Sequence, residues 1–136
     1  MKNEKLKIET APLVKGGGQA PEIVERTFAF ALRVIRLCRK LAERPGVART
    51  LSNQLLRAGT AIGANVEEAQ AAQSRADFVS KANIALKEAR EAFYWLRLLN
   101  KSGLIPAHLL REITIEAEEL AKILGAIVRT SRRHIP

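Results

Sequence analysis

The 136-residue chain holds one cysteine, Cys38, one tryptophan, one tyrosine and four phenylalanines. A lone thiol cannot form an internal disulfide, and this cysteine usage suits a reducing, cytoplasmic compartment. Aromatics at 4% leave little material for a platform on which single-stranded bases could stack. No apolar run approaches the roughly 18 residues a membrane span needs, and the N-terminus lacks the apolar segment of a signal peptide. Histidine is also scarce, at two residues. A di-iron bundle needs Glu-x-x-His on two helices, and neither His108 nor His134 has a glutamate three residues before it. Serine, cysteine and zinc chemistries find no constellation either. The expectation is a chain with no catalytic residue, metal site or cofactor. Acid is in deficit as well: 14 Asp+Glu stand against 23 Lys+Arg, a formal +9.

What is present is a globular composition, 47% hydrophobic, in a length that suits one domain. Residues 1–20 read as a flexible basic, glycine-rich tail, with Lys2, Lys5 and Lys7 followed by Pro12 and Gly16-Gly17-Gly18. A phosphate-binding loop would require a Gly-Lys-Ser/Thr closure, and Gln19-Ala20-Pro21 does not supply it. Residues 21–133 carry helical periodicity throughout. In the first helix Val24, Phe28, Ala31, Ile35, Cys38 and Ala42 recur at steps of three and four, beside a second stripe of Phe30, Val34, Leu37 and Leu41. Pro45-Gly46 ends it. A second helix spans about Ala48 to Ala71, with Leu51, Leu55, Ala58, Ile62, Val66 and Ala69 inward. Gly59 and Gly63 lie one turn apart in it, and each costs about 1 kcal/mol relative to alanine. Close approach of a neighbouring helix explains them best.

Ser74-Arg75-Ala76-Asp77 has the form of a capping box. It introduces a third helix with Phe78, Ala82, Ala85, Ala89, Ala92, Leu96 and Leu99 on one stripe, ended by Gly103. Pro106 opens a fourth, whose stripe is Leu110, Ile113, Ala117, Leu120, Leu124 and Val128. Four helices of matched length with short connections predict an all-α, antiparallel up-down-up-down four-helix bundle. Pairing the second and third helices about a turn near residue 73 sets Arg57 level with Glu88 and Glu91, and Glu68 within reach of Lys81. An Arg57 ion pair with one of the two glutamates is therefore expected. Glu88-x-x-Glu91 and Glu116-x-x-Glu119 loosely echo the Mg²⁺-binding layout of an all-α pyrophosphohydrolase, but Arg57 competes for the first pair. Trp95 and Leu98, apolar on a flank shared with glutamates, suggest an inter-helix or inter-subunit contact.

The stretch Arg57-Ala58-Gly59-Thr60-Ala61-Ile62-Gly63-Ala64-Asn65-Val66-Glu67-Glu68-Ala69 resembles the signature of the four helix bundle protein family. The best-known members of that family are encoded by intervening sequences within bacterial 23S ribosomal RNA genes. Ser74-x-x-Asp77-Phe78 and Lys87-Glu88-x-x-Glu91-x-x-Tyr94-Trp95-Leu96 extend the match in order and spacing over roughly residues 24–131. The resemblance implies a bundle that assembles as a ring, typically a homopentamer, with no established catalysis. It also implies kinship with the accessory variability proteins of diversity-generating retroelements, basic pentamers that bind a reverse transcriptase and nucleic acid. Arg57, Asn65, Glu68, Ser74, Asp77, Phe78, Glu88, Glu91 and Trp95 are its motif positions here, with a structural role. Gly59, Thr60 and Ala69 depart from the residues many relatives carry.

The functional expectation is a non-enzymatic, ring-forming homo-oligomer that binds structured RNA or DNA through phosphates. Arg33, Arg36, Arg39 and Lys40 on the first helix, with Arg129, Arg132 and Arg133 at the C-terminus, are the candidate contacts. The alternative is a scaffold or adaptor for a protein partner, for example a reverse transcriptase, with charge serving solubility and steering. No membrane partner is expected.

Overall fold

The computed structural model describes residues 20–135, with side chains from Ile23 onward, and the tail expected at the N-terminus lies outside the described residues apart from Ala20. Among these residues four α-helices follow one another: α1 Ala20–Leu41, α2 Val47–Gln70, α3 Arg75–Lys101 and α4 Arg111–Arg132. Among the described residues there is no strand, and no helix is long and apolar enough to cross a membrane.

The turns explain where the helices stop. Gly46 at φ 81° and Gly103 at φ 73° occupy the left-handed half of backbone space that side-chain-bearing residues avoid. The α2–α3 turn uses a different device: Ser74 Oγ accepts from the Asp77 N–H at 3.0 Å, as the capping motif predicts. The Asp77 carboxylate accepts from the Gln73 N–H rather than closing the box on Ser74. Pro106 departs from expectation. It sits extended at ψ 134°, a single 3-10 turn at Ala107–Leu109 follows, and the helix proper begins at Arg111. Leu110 at φ −106° separates the two, in a bend that leaves its side chain fully buried.

Neighbouring helices run antiparallel. Val34 meets Gly59, Thr27 meets Gly63, and the Cys38 thiol donates to the Ser52 carbonyl, so numbers rise on α1 as they fall on α2. Arg57 reaches Glu88 and Glu91 across α2–α3. Arg26 clamps Glu116 across α1–α4 with two hydrogen bonds, 3.0 and 2.7 Å. The α1–α4 seam is the loosest of the four.

The glycines act as the sequence suggests. A Cβ on Gly59 would lie 2.8 and 2.9 Å from the Val34 methyls, and one on Gly63 would lie 3.3 Å from the Thr27 carbonyl oxygen. Bare backbone on α2 therefore forms the trough into which α1 settles. Every stripe residue predicted for α3 and α4 is buried. In α1 the core side is the stripe Ile23, Thr27, Phe30, Val34, Leu37 and Leu41. From the other stripe only Cys38 turns fully inward: Phe28 is 62% exposed and Ile35 39%. The placement of Phe28 on the inner apolar surface is thus corrected, because the Gly59–Gly63 trough engages the face centred one residue further round.

Candidate functional site

On the α2–α3 face, Arg57 is half-exposed and paired with both Glu88, at 3.3 Å, and Glu91. Glu91 also accepts from the Trp95 indole N–H at 3.1 Å. Its carboxyl is held below the ordinary glutamate range, first by that indole and then by Arg57, while burial works in the opposite direction. Tyr94 meets Trp95 edge-on at 5.2 Å, and the Arg97 guanidinium stands over the Phe93 ring at 4.7 Å. Four of the family-motif positions thus form one connected network that ties α2 to α3 at an exposed seam. Exposed ion pairs are worth about 0–1 kcal/mol each, so the network sets register more than it adds stability.

A depressed folded-state pKa means that Glu91 contributes stability above its unfolded value of 4.5 and loses it as pH falls through the lower folded value. A Glu91→Gln variant should therefore lose less stability than the wild type on acidification below about pH 4.5. Denaturant unfolding at pH 7 and pH 3 measures the difference, and equal losses would contradict it.

The other motif residues serve locally. Asn65 Nδ2 donates to the Ala61 carbonyl at 2.9 Å, Ser74 and Asp77 cap α3, and Phe78 is buried in the core. Glu68 is exposed and forms no ion pair with Lys81 among the described residues. Trp95 is half-buried against the core, an inter-helix contact, and Leu98 stays 37% exposed.

The carboxylates that echoed a Mg²⁺ layout are engaged elsewhere. Glu88 and Glu91 face Arg57, Glu116 is held by Arg26, and Glu119 points to solvent. Among the described residues no cluster of three or more His, Cys, Asp or Glu is placed to hold a metal ion. Burial pushes the Cys38 thiol above its ordinary pKa, and its hydrogen bond to Ser52 offsets this only in part. A thiol in that state is a poor nucleophile.

The cations expected to meet phosphates fall in two places. Arg36, Arg39 and Lys40 are exposed near the end of α1, while Arg33 is half-buried beside a crevice lined by His108 and Glu112. Arg129, Arg132 and Arg133 are also exposed, but antiparallel packing puts them at the opposite end of the bundle, roughly 35 Å away at 1.5 Å per residue. The first group gains neighbours that sequence reasoning did not single out. The end of α1, the start of α2, the end of α3 and the start of α4 all meet at one end, adding Arg44, Arg49, Lys101 and Arg111. Among the described residues, only Glu43 and Glu112 oppose them there. Arg44 donates to the Leu104 carbonyl at 2.7 Å and Arg49 to the Ala42 carbonyl at 3.0 Å, so both are anchored on turns. Arg36, Arg39, Lys40, Lys101 and Arg111 make no ion pair among the described residues. The signal was available in the sequence, since an up-down bundle sorts charges by helix end.

The family model described as 23S rRNA-intervening sequence protein matches residues 19–126. A crystal structure of a protein of unknown function from the S23 ribosomal protein family of Bacteroides thetaiotaomicron is 41% identical, covering 79% of this chain and 98% of that one, with a TM-score of 0.72. Among curated proteins there is no match. The match over 19–126 contains the Arg57–Glu91–Trp95 network, the α3 cap and the glycine trough alike, and the chain belongs to the 23S rRNA-intervening sequence protein family.

Proposed function

We propose that this protein is a non-enzymatic, self-associating bundle, a ring of copies, that holds structured RNA or DNA by its phosphates at the basic end. The observation that supports this reading is the convergence of Arg36, Arg39, Lys40, Lys101 and Arg111 on one end of a +9 chain, exposed and free of acidic partners among the described residues. Fixed cations with few competing acids bind polyanions by releasing counterions, with little dependence on base identity. Exposed aromatics are few, Tyr94 and Phe28, and Phe28 lies on α1 away from the cation cluster, so base stacking plays a minor part. The exposed apolar face of α1 supports a second reading, a scaffold that docks a protein partner.

Charge reversal separates the two. The substitutions Lys40→Glu, Lys101→Glu and Arg111→Glu all fall on exposed positions. Together they should weaken binding to an RNA hairpin or a DNA duplex at low salt by about tenfold or more. Unchanged binding, or no binding by the wild type, would remove the phosphate reading.

A further inference from the structure

Helix α3 sorts its charges by face. Its carboxylates Glu88 and Glu91 lie on the α2 side, tied to Arg57 and, for Glu91, to the Trp95 indole. Its cations take the outer face. Lys87, Arg90, Arg97 and Lys101, with Tyr94 between them, recur at steps of three and four, which sets all five on one line along the helix. All five are exposed, Tyr94 at 47%. Lys87 stands four residues before Glu91, the spacing of a helical ion pair, yet Glu91 is turned to Arg57. Among the described residues none of the four cations has an acidic partner, and the exposed Glu118 and Glu119 of the neighbouring α4 form no ion pair with them.

The line is about 21 Å long at 1.5 Å per residue, and Lys101 belongs both to it and to the basic end. From there it runs down the side of the bundle to mid-helix at Lys87. The basic end closes the bundle across the helix axes, whereas the line runs parallel to one of them, so a ligand that uses both has to turn the corner at Lys101. A duplex keeps its direction over about 150 base pairs and cannot follow such a turn on one bundle. A single strand can, and its phosphates then lie along the cations. Arg97 is steadied for this role, its guanidinium 4.7 Å from the centre of the Phe93 ring and 5.8 Å from that of Tyr94. Tyr94 itself, met edge-on by Trp95, offers one ring midway along the line, enough for a single unpaired base and too little for a platform.

We propose that the ligand class is a duplex with a single-stranded extension. The paired part sits against the basic end, and the unpaired strand follows Lys101, Arg97, Arg90 and Lys87 down α3, with one base on Tyr94. This rests on the phosphate reading above and adds to it the strandedness of the ligand and the second surface that recognises it.

Three RNA probes followed by anisotropy test the assignment: a blunt hairpin, the same hairpin with a single-stranded tail of about eight nucleotides, and a hairpin lengthened by the same number of nucleotides in paired form. The wild type should bind the tailed probe about tenfold or more tightly than either of the others. Its slope of log K against log salt should be steeper on the tailed probe than on the blunt one by about 2, three further phosphates at about 0.7 each. A protein carrying Lys87→Gln, Arg90→Gln and Arg97→Gln should lose both differences and still bind the blunt hairpin as the wild type does. The three positions are exposed, and helical dichroism with thermal unfolding checks that the variant is folded. Tyr94→Ala should weaken the tailed probe alone, by about fivefold, with its salt slope unchanged. Equal wild-type binding of the tailed and lengthened probes, or a tail advantage that survives the triple substitution, would overturn the α3 path and leave the basic end standing. No binding of any probe by the wild type would overturn both.

Discussion

Gly59→Ala should lower the stability of this bundle by about 2 kcal/mol, although alanine is the better helix former. The added methyl carbon would stand 2.8 and 2.9 Å from Val34 Cγ2 and Cγ1, and 3.2 Å from Val34 Cβ. Valine in a helix has essentially one rotamer, so its methyls cannot swing clear and α1 itself has to lift. Overpacking of this kind costs about 1–3 kcal/mol, and at 2.8 Å the upper end applies; the gain of about 1 kcal/mol in helix propensity works against it. A Val34→Ala background removes the obstruction, so the double variant should lose less than the two single losses added together. Gly59→Leu should fail to form the native bundle. Urea unfolding of the wild type, Gly59→Ala, Val34→Ala and the double variant decides the matter. A Gly59→Ala protein as stable as the wild type would mean that α1 and α2 are not held at this spacing.

Nucleic-acid binding should fall steeply with salt. Five cations at the basic end lack acidic partners among the described residues, so about five phosphates are neutralised per copy. The slope of log K against log salt is then about −4.5 for duplex and about −3.5 for single strands. Between 50 and 200 mM salt this amounts to a loss of roughly 100- to 500-fold. Reversing Lys40, Lys101 and Arg111 should flatten the duplex slope by about 2.7, three phosphates' worth. Filter binding or anisotropy across a salt series gives both numbers. A flat wild-type dependence would contradict phosphate contact.

The helices α2 and α3 were legible because their apolar stripes are single. Leu55, Ala58, Ile62, Val66 and Ala69 admit only one inward face, and so do Ala82, Ala85, Ala89 and Ala92. Antiparallel register then placed Arg57 against Glu88 and Glu91 without further information. Helix α1 was ambiguous for the converse reason. Two complete stripes lie one residue apart, and only the depth of the Gly59–Gly63 trough selects Phe30 over Phe28. The start of α4 was misread because Pro106 suits a first helical turn equally well as an extended residue before one. The Arg26–Glu116 clamp joins residues 90 apart across a seam that no local pattern announces. The basic end was implicit in the up-down order of the helices, but its cations come from four helix termini far apart in the chain.

The loose α1–α4 seam has a consequence for how the molecule breathes. Helix α1 is held by the α2 trough on one side and, on the other, by a thin contact whose polar part is the Arg26–Glu116 clamp. The two helices on that seam, α1 and α4, are the cheapest to open, so their amide protons should exchange before those of α2 and α3, which share the most extensive seam. Whatever covers the outer face of α1 adds to the hold on that one helix. Cover on that face therefore slows the opening of the first helix and leaves the exchange of α3, which lies across the bundle, almost unaltered.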